Sequence, residues 1–269
     1  MKPSCLNLAL ISAAITGGSS TTAVARQQLP KLSESGKPLN VVFILSDDHR
    51  YDYMGFVGKV PWLETPAMDR MAREGAWIRN AFVTTSLSSP SRASILTGMY
   101  SHSHKVVDNS APMPAGLTFF PEYLQQVGYQ TGFFGKWHMG NDTGDPQPGF
   151  NHWESFSGQG EYYNPRLNVN GKWIRYADST YVTDLLTTHA IEFMKQQQTS
   201  HKPFMVYLSH KGVHDNFSPA KRHKGCYSGK PLVIPPSFDT SKEKIKALPT
   251  IDPSTGKAAA GKDYYGENM

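Results

Sequence analysis

Asn40 to Ser46 reads Asn-Val-Val-Phe-Ile-Leu-Ser, a continuous apolar run of the kind that forms a strand buried on both faces. Pro203 to Ser209 (Pro-Phe-Met-Val-Tyr-Leu-Ser) repeats the pattern, and Tyr129 to Phe134 and Trp77 to Thr84 are further strand candidates. Helical signals lie between them. Thr65-Pro66 supplies an N-cap and a first-turn proline for a helix that Gly75 closes. Pro90-Ser91-Arg92 opens another that ends near Gly98, and Thr118 to Val127 is a short one stopped by Gly128. Asp178 is expected to cap a longer helix with apolar positions at Val182, Leu185, Leu186, Ile191 and Met194. Strands alternating with helices predict an α/β fold, with a mostly parallel central sheet flanked by helices. In such folds function collects just beyond the carboxyl ends of the strands.

The two ends of the chain read differently. Lys2, the short apolar stretch Leu6 to Ile15 and the small-x-small triplet Ala23-Val24-Ala25 predict a signal peptide over residues 1–25, cleaved after Ala25. The stretch is shorter than the ~20 residues that span a bilayer, and no later segment is long and apolar enough, so stable membrane insertion is not expected. Residues 26–38 look like a linker, residues 39–238 like the folded domain, and residues 239–269 like a Lys-rich continuation. Cleavage leaves Cys226 as the single cysteine of the 269-residue chain's two, which excludes a disulfide scaffold and a four-cysteine zinc site. An exported protein without disulfides fits a bacterial periplasmic or secreted location. The charge of +5, from 27 basic and 22 acidic residues, permits an anionic substrate and gives no argument for nucleic acid. The basic run from Lys221 to Lys246 reads as a solvated surface.

Three strand ends carry unusual polar residues. Asp47-Asp48 follows the first, either as a solvated turn or as carboxylates suited to a hard cation such as Ca²⁺, with Mg²⁺ less favoured. Gly135-Lys136-Trp137-His138 follows the strand from Tyr129, either as an ordinary loop with a structural histidine or, since in extended chain Lys136 and His138 share a side, as a fixed cation beside an imidazole. Ser209-His210-Lys211-Gly212-Val213-His214 follows the strand from Pro203, and its spacing does not favour metal ligation by the two histidines. The most specific segment is Ser88-Ser89-Pro90-Ser91-Arg92-Ala93-Ser94-Ile95-Leu96-Thr97-Gly98. Its polar start is either a Ser-rich helix cap or a side chain in the positive field of the helix N-terminus, where anions bind well.

The pattern Ser-x-Pro-Ser-Arg-x-x-x-Leu-Thr-Gly resembles the signature of the sulfatase family in its serine-type form. The Ser-Asp-Asp strand exit upstream and Gly-Lys-Trp-His downstream are similar to that family's other motifs, in its order. The resemblance implies an alkaline-phosphatase-like fold and hydrolysis of sulfate esters. It implies that an anaerobic sulfatase-maturating enzyme oxidises Ser88 to formylglycine, whose hydrate attacks sulfur. Asp47 and Asp48, with Ser88, would hold Ca²⁺. Arg92 would steady the aldehyde-derived oxyanion, Lys136 would bind sulfate oxygens, His138 would take a proton from the hydrate, and His214 would protonate the leaving oxygen. The loop Tyr100 to Asn109 resembles that of glucosamine-6-sulfatases, pointing to a sulfated glycan. Trp137, Trp153, Tyr162 and Tyr163 are candidates for stacking on sugar rings, against the commoner role of aromatics as core.

The sequence also departs from the family. The downstream Asp/Asn-Gly pair that completes the family's calcium site, and a second sulfate-binding lysine, have no match after His214. The chain therefore reads as an N-terminal portion, expected to have weak or no activity alone. Two other readings remain: a phosphate or phosphonate monoester hydrolase of the same superfamily, and a truncated product that binds glycans without turnover.

Overall fold

The computed structural model describes residues 38–141 and 143–234, with the short stretches 250–251 and 258–259. The expected signal segment 1–25, all of the linker except Pro38, and the Lys-rich continuation apart from those four residues lie outside the described residues.

In chain order the elements are β1 (Val41–Leu45), α1 (Pro66–Glu74), α2 (Ser88–Thr97), α3 (Ser101–His104), α4 (Phe120–Gln126), β2 (Gln130–Lys136), β3 (His152–Phe156), β4 (Arg166–Val169), β5 (Lys172–Arg175), α5 (Val182–Thr199) and β6 (Phe204–Ser209). A two-stranded pair, β7 (Thr250–Ile251) and β8 (Ala258–Ala259), comes last. The main sheet has the order β1-β6-β2-β3-β4-β5. Strands β1, β6, β2 and β3 run parallel, and β4 and β5 are added antiparallel. The expected mostly parallel α/β sheet is present.

Period-two alternation decides which side chain faces which layer. On one face Phe133, Trp153, Met205 and Tyr207 pack with Ala93 and Leu96 of α2 and with Phe119, at the start of α4. On the other, Phe134, Phe156, Val206 and Leu208 pack with Val182, Leu186, Ala190 and Phe193 of α5. Each fully buried side chain of this size contributes about 2 kcal/mol of transfer free energy. Helices on both faces explain why β6 reads as an unbroken apolar run.

Four expectations need correction. Strand β1 is not buried on both faces: Phe43 and Leu45 meet the core, while Val42 and Ile44 are 48% and 55% exposed. It is the edge strand of this sheet, and α5 packs mainly on β2 and β6. Trp77 to Thr84 is irregular, because among the described residues no strand lies beside it to pair its backbone. Asp178 is not the cap of α5; it and Ser179 have φ of 55° and 62° in a preceding turn, and Tyr181 is the N-cap. Trp137, Trp153 and Tyr162 are at most 7% exposed and belong to the core, so they present no ring face to a sugar; Tyr163 is tied to Tyr181 and to the Pro219 carbonyl.

Candidate active site

The loops that leave β1 and β6 run on side by side past the sheet. The parallel register ends at Leu45 opposite Ser209, and the pairing continues with Asp47 N–H donating to the Gly212 carbonyl and Val213 N–H to the Asp47 carbonyl, each at 2.9 Å. Asp47 is thereby pinned at the carboxyl edge, 6% exposed. Gly135 brings β2 against β6 at the same edge. Its φ is +117°, and a Cβ there would stand 1.8 Å from the Ser209 carbonyl oxygen, so only glycine is accommodated.

This close approach organises the cations. Ser209 Oγ donates to the Lys136 carbonyl at 2.8 Å. Arg92 Nη1 donates to the same carbonyl and to Ser209 Oγ, both at 2.7 Å. Arg92 Nη2 lies 3.5 Å from Asp47 Oδ1, and Lys136 Nζ donates to Asp47 Oδ2. Burial pushes the Lys136 pKa down, and the contact with Asp47 opposes that shift. A buried ammonium and a buried guanidinium around one carboxylate leave a local positive excess, suited to an anion.

Ser88 is the first residue of α2, two residues earlier than the Pro90 start expected from sequence, with Leu87 as N-cap in extended conformation. Its half-buried side chain lies at the positive end of a ten-residue helix. Ser88, Ser91 and Arg92 from α2 and Asp47 and Asp48 from the β1 exit line one cleft of about 690 Å³. Asp48 has a φ of 56° and is 63% exposed at its side chain, with His214 Nε2 3.6 Å from Oδ2. The structure thus joins Asp47, Arg92 and Lys136 directly, sets Asp48 beside His214, and places Ser88 on the wall shared with the acids.

His138 is a buried imidazole whose pKa is pushed down to about 4, first by burial and then by the charges of Lys136 and Arg92. It is neutral at ordinary pH and able to accept a proton. His210 is pushed to about 4 by burial alone, and its buried Nδ1 has no hydrogen-bond partner among the described residues. Among those residues no group of three or more His, Cys, Asp or Glu side chains is placed to hold a metal ion. Asp47 and Asp48 stand as a pair, with Asp47 already paired to two cations. Together they fall short of the six to eight oxygens that Ca²⁺ takes.

The sequence assigned no role in this site to Ser209, which holds Arg92, or to Gln159, and it gave Tyr162 a different role. Gln159, in the loop after β3, accepts from Lys136 Nζ at 2.5 Å and lies 3.1 Å from His138 Nε2. Tyr162 donates to the His214 carbonyl at 2.5 Å. A Gly-Gln-Gly run between aromatics was the available signal: Gly160 has φ +65°, and a Cβ there would come within 2.5 Å of the Phe156 ring.

A family model described as Sulfatase matches residues 39–232. The chain belongs to the sulfatase family. An N-acetylglucosamine-6-O-sulfatase of Bacteroides thetaiotaomicron is 38% identical over 229 residues, covering 84% of this chain and 39% of that protein. An N-acetylglucosamine-6-sulfatase of Capra hircus is 30% identical over 209 residues, covering 70% of this chain and 36% of its own. A structure solved with its substrate D-glucosamine-2-N,6-O-disulfate aligns at a TM-score of 0.65 and 40% identity, over 71% of this chain and 38% of that one. The chain spans about two fifths of the length of these relatives. Asp47, Asp48, Ser88, Arg92, Lys136, His138 and His214 all fall inside the span matched by the sulfatase model. No helix among the described residues is long and apolar enough to cross a membrane.

Proposed function

We propose that this chain is the nucleophile-bearing portion of an exported sulfatase that hydrolyses sulfate esters on a glycan, with a 6-O-sulfated glucosamine as the substrate class. The observation that carries the reading is the shared cleft: Ser88 at the head of α2 faces the same space as Asp47, Asp48 and Arg92. Ser88 is the residue converted to formylglycine by a maturating enzyme of the source cell. The resulting aldehyde hydrate is the nucleophile, dividing one hard displacement at sulfur into two easier steps.

Each neighbour then has a role that its environment suits. Arg92 is held by three contacts and steadies the oxyanion derived from residue 88. Lys136 presents a fixed positive charge to sulfate oxygens. His138, neutral at working pH, takes the proton from the hydrate. His214, half-buried beside Asp48, supplies a proton to the departing sugar oxygen. Asp47 and Asp48 contribute two carboxylates toward a Ca²⁺ site, which would add positive charge near the sulfate when filled. The glucosamine preference rests on the substrate bound in the aligned structure and on the activities for which the relatives are named.

The test is mass spectrometry of the tryptic peptide Asn80 to Arg92, isolated from protein made in its source organism, with turnover assays on glucosamine-6-sulfate and on a phosphate monoester. Loss of two hydrogens at Ser88, with sulfate ester preferred, is the expected result. An unmodified serine in native material would remove the nucleophile and leave a glycan-binding product. Faster phosphate release would move the site to phosphoryl chemistry.

A further inference from the structure

Gln159 is not part of any strand-end motif, yet its amide bridges two of the groups assigned above. The first constraint comes from Lys136. An ammonium offers only hydrogens, so the Gln159 atom 2.5 Å from Nζ is the carbonyl oxygen Oε1. The opposite end of the amide is then the NH₂ group, which can only donate. It lies 3.1 Å from His138 Nε2, and a donor facing a ring nitrogen requires that nitrogen to carry a lone pair. The orientation of one side chain therefore passes a requirement from a lysine to a histidine.

We propose that Gln159 is a positioning residue that sets the tautomer of His138, keeping Nε2 unprotonated with the ring hydrogen on Nδ1, and holds that nitrogen at a fixed reach from Lys136. This rests on the reading of Lys136 and His138 as the sulfate-binding and proton-accepting groups. The loop is built to keep the amide there. Gly160 turns directly after it, packed against the Phe156 ring, and Tyr162, two residues further on, is anchored to the His214 carbonyl. Ser89 Oγ donates to the His138 carbonyl at 2.6 Å, fixing the backbone from which the imidazole projects. The amide thus aligns the proton acceptor before substrate arrives; a sulfate oxygen reaching Lys136 takes the place of Oε1, and the amide swings away to free the Nε2 lone pair for the hydrate proton.

The test reads the tautomer directly and needs no turnover. The full chain is labelled with ¹⁵N at histidine, and long-range ¹H–¹⁵N spectra are recorded for the unsubstituted chain, Gln159→Glu and Gln159→Met. In the unsubstituted chain His138 Nε2 is expected in the unprotonated range and Nδ1 in the protonated range. Gln159→Glu places a second acceptor against the ring, so Nε2 is expected to move to the protonated range. Gln159→Met removes the bridge, and intermediate shifts from mixed tautomers are expected. The signals of His152 and His189, which share Glu154, report whether each variant is folded. A protonated Nε2 in the unsubstituted chain, or an unchanged tautomer in folded Gln159→Glu, overturns the proposal. Neither result depends on sulfate ester hydrolysis, so failure of the functional reading would show separately, as absent turnover with the tautomer as stated.

Discussion

Two buried carboxylates, one just past the end of β1 and one within β3, are paired in opposite ways. Asp47, at the carboxyl edge, is 6% exposed and faces Lys136 and Arg92. Glu154, within β3 and toward α5, is 3% exposed and is bound by His152 Nε2 at 2.8 Å and His189 Nδ1 at 2.6 Å. Burial raises the cost of a charge in both places, and the chemistry of the partner decides how each cluster responds to pH. A guanidinium stays charged throughout the working range, so the Asp47 cluster is a permanent electrostatic feature open to a cleft. Imidazoles titrate near neutrality, so the Glu154 cluster is a structural clamp whose strength varies with pH.

The largest effect is expected from Lys136→Met, which leaves buried Asp47 with Arg92 alone. Urea unfolding should show a loss of about 3–5 kcal/mol, with part of it regained in the Asp47→Asn/Lys136→Met pair. Equal losses in the single and paired variants would show that Lys136 matters for packing and not for charge.

Next is Glu154→Gln, with an expected loss of about 2 kcal/mol where both imidazoles bind a charged acceptor. The contacts with Glu154 raise the His189 pKa above 6.5, so its share of stability is complete below 6.5 and is lost as pH climbs through the raised value. Burial acts to raise the Glu154 pKa, but the hydrogen bonds and charges of His152 and His189 together outweigh it and bring the group below 4.5. Its share is complete above 4.5 and is lost as pH falls through the lowered value. The gap between the unsubstituted chain and Glu154→Gln should therefore be widest between 4.5 and 6.5 and narrow above that. A gap independent of pH would remove the distinction between the two clusters.

The smallest effect is expected from Arg175→Gln, which breaks the exposed pair with Glu161. A loss below about 0.5 kcal/mol, erased by salt, would confirm that burial, not ion pairing as such, sets the scale.

Strand β6 was the most legible part of the central sheet, because it is covered on both faces and its apolar run has no competing explanation. Strands β3 to β5 were not legible. His152-Trp153-Glu154-Ser155-Phe156 mixes polar and apolar residues; Trp153 and Phe156 pack into opposite core faces, and buried Glu154 is satisfied by His152 and by His189 of α5. Trp77 to Thr84 had strand composition and no partner strand among the described residues. In the site, Ser88, Arg92, Lys136 and His138 were legible from motif and strand-end position, which are local properties. Ser209 and Gln159 were not, since their partners lie 117 and 23 residues away along the chain.

The sequence by itself determined the alternation of strands and helices, the helix carrying Ser88, and the strand-end acids, cations and histidines, because periodicity and motif spacing are written into neighbouring residues. Tertiary structure alone decided that β1 lies at the edge while β6 lies inside, that Asp47 is paired with permanent cations and Glu154 with titratable ones, and that an amide from a third loop joins Lys136 to His138. Burial and partner choice depend on which segments meet in space, and the packing of helices on the two faces of the sheet settles that.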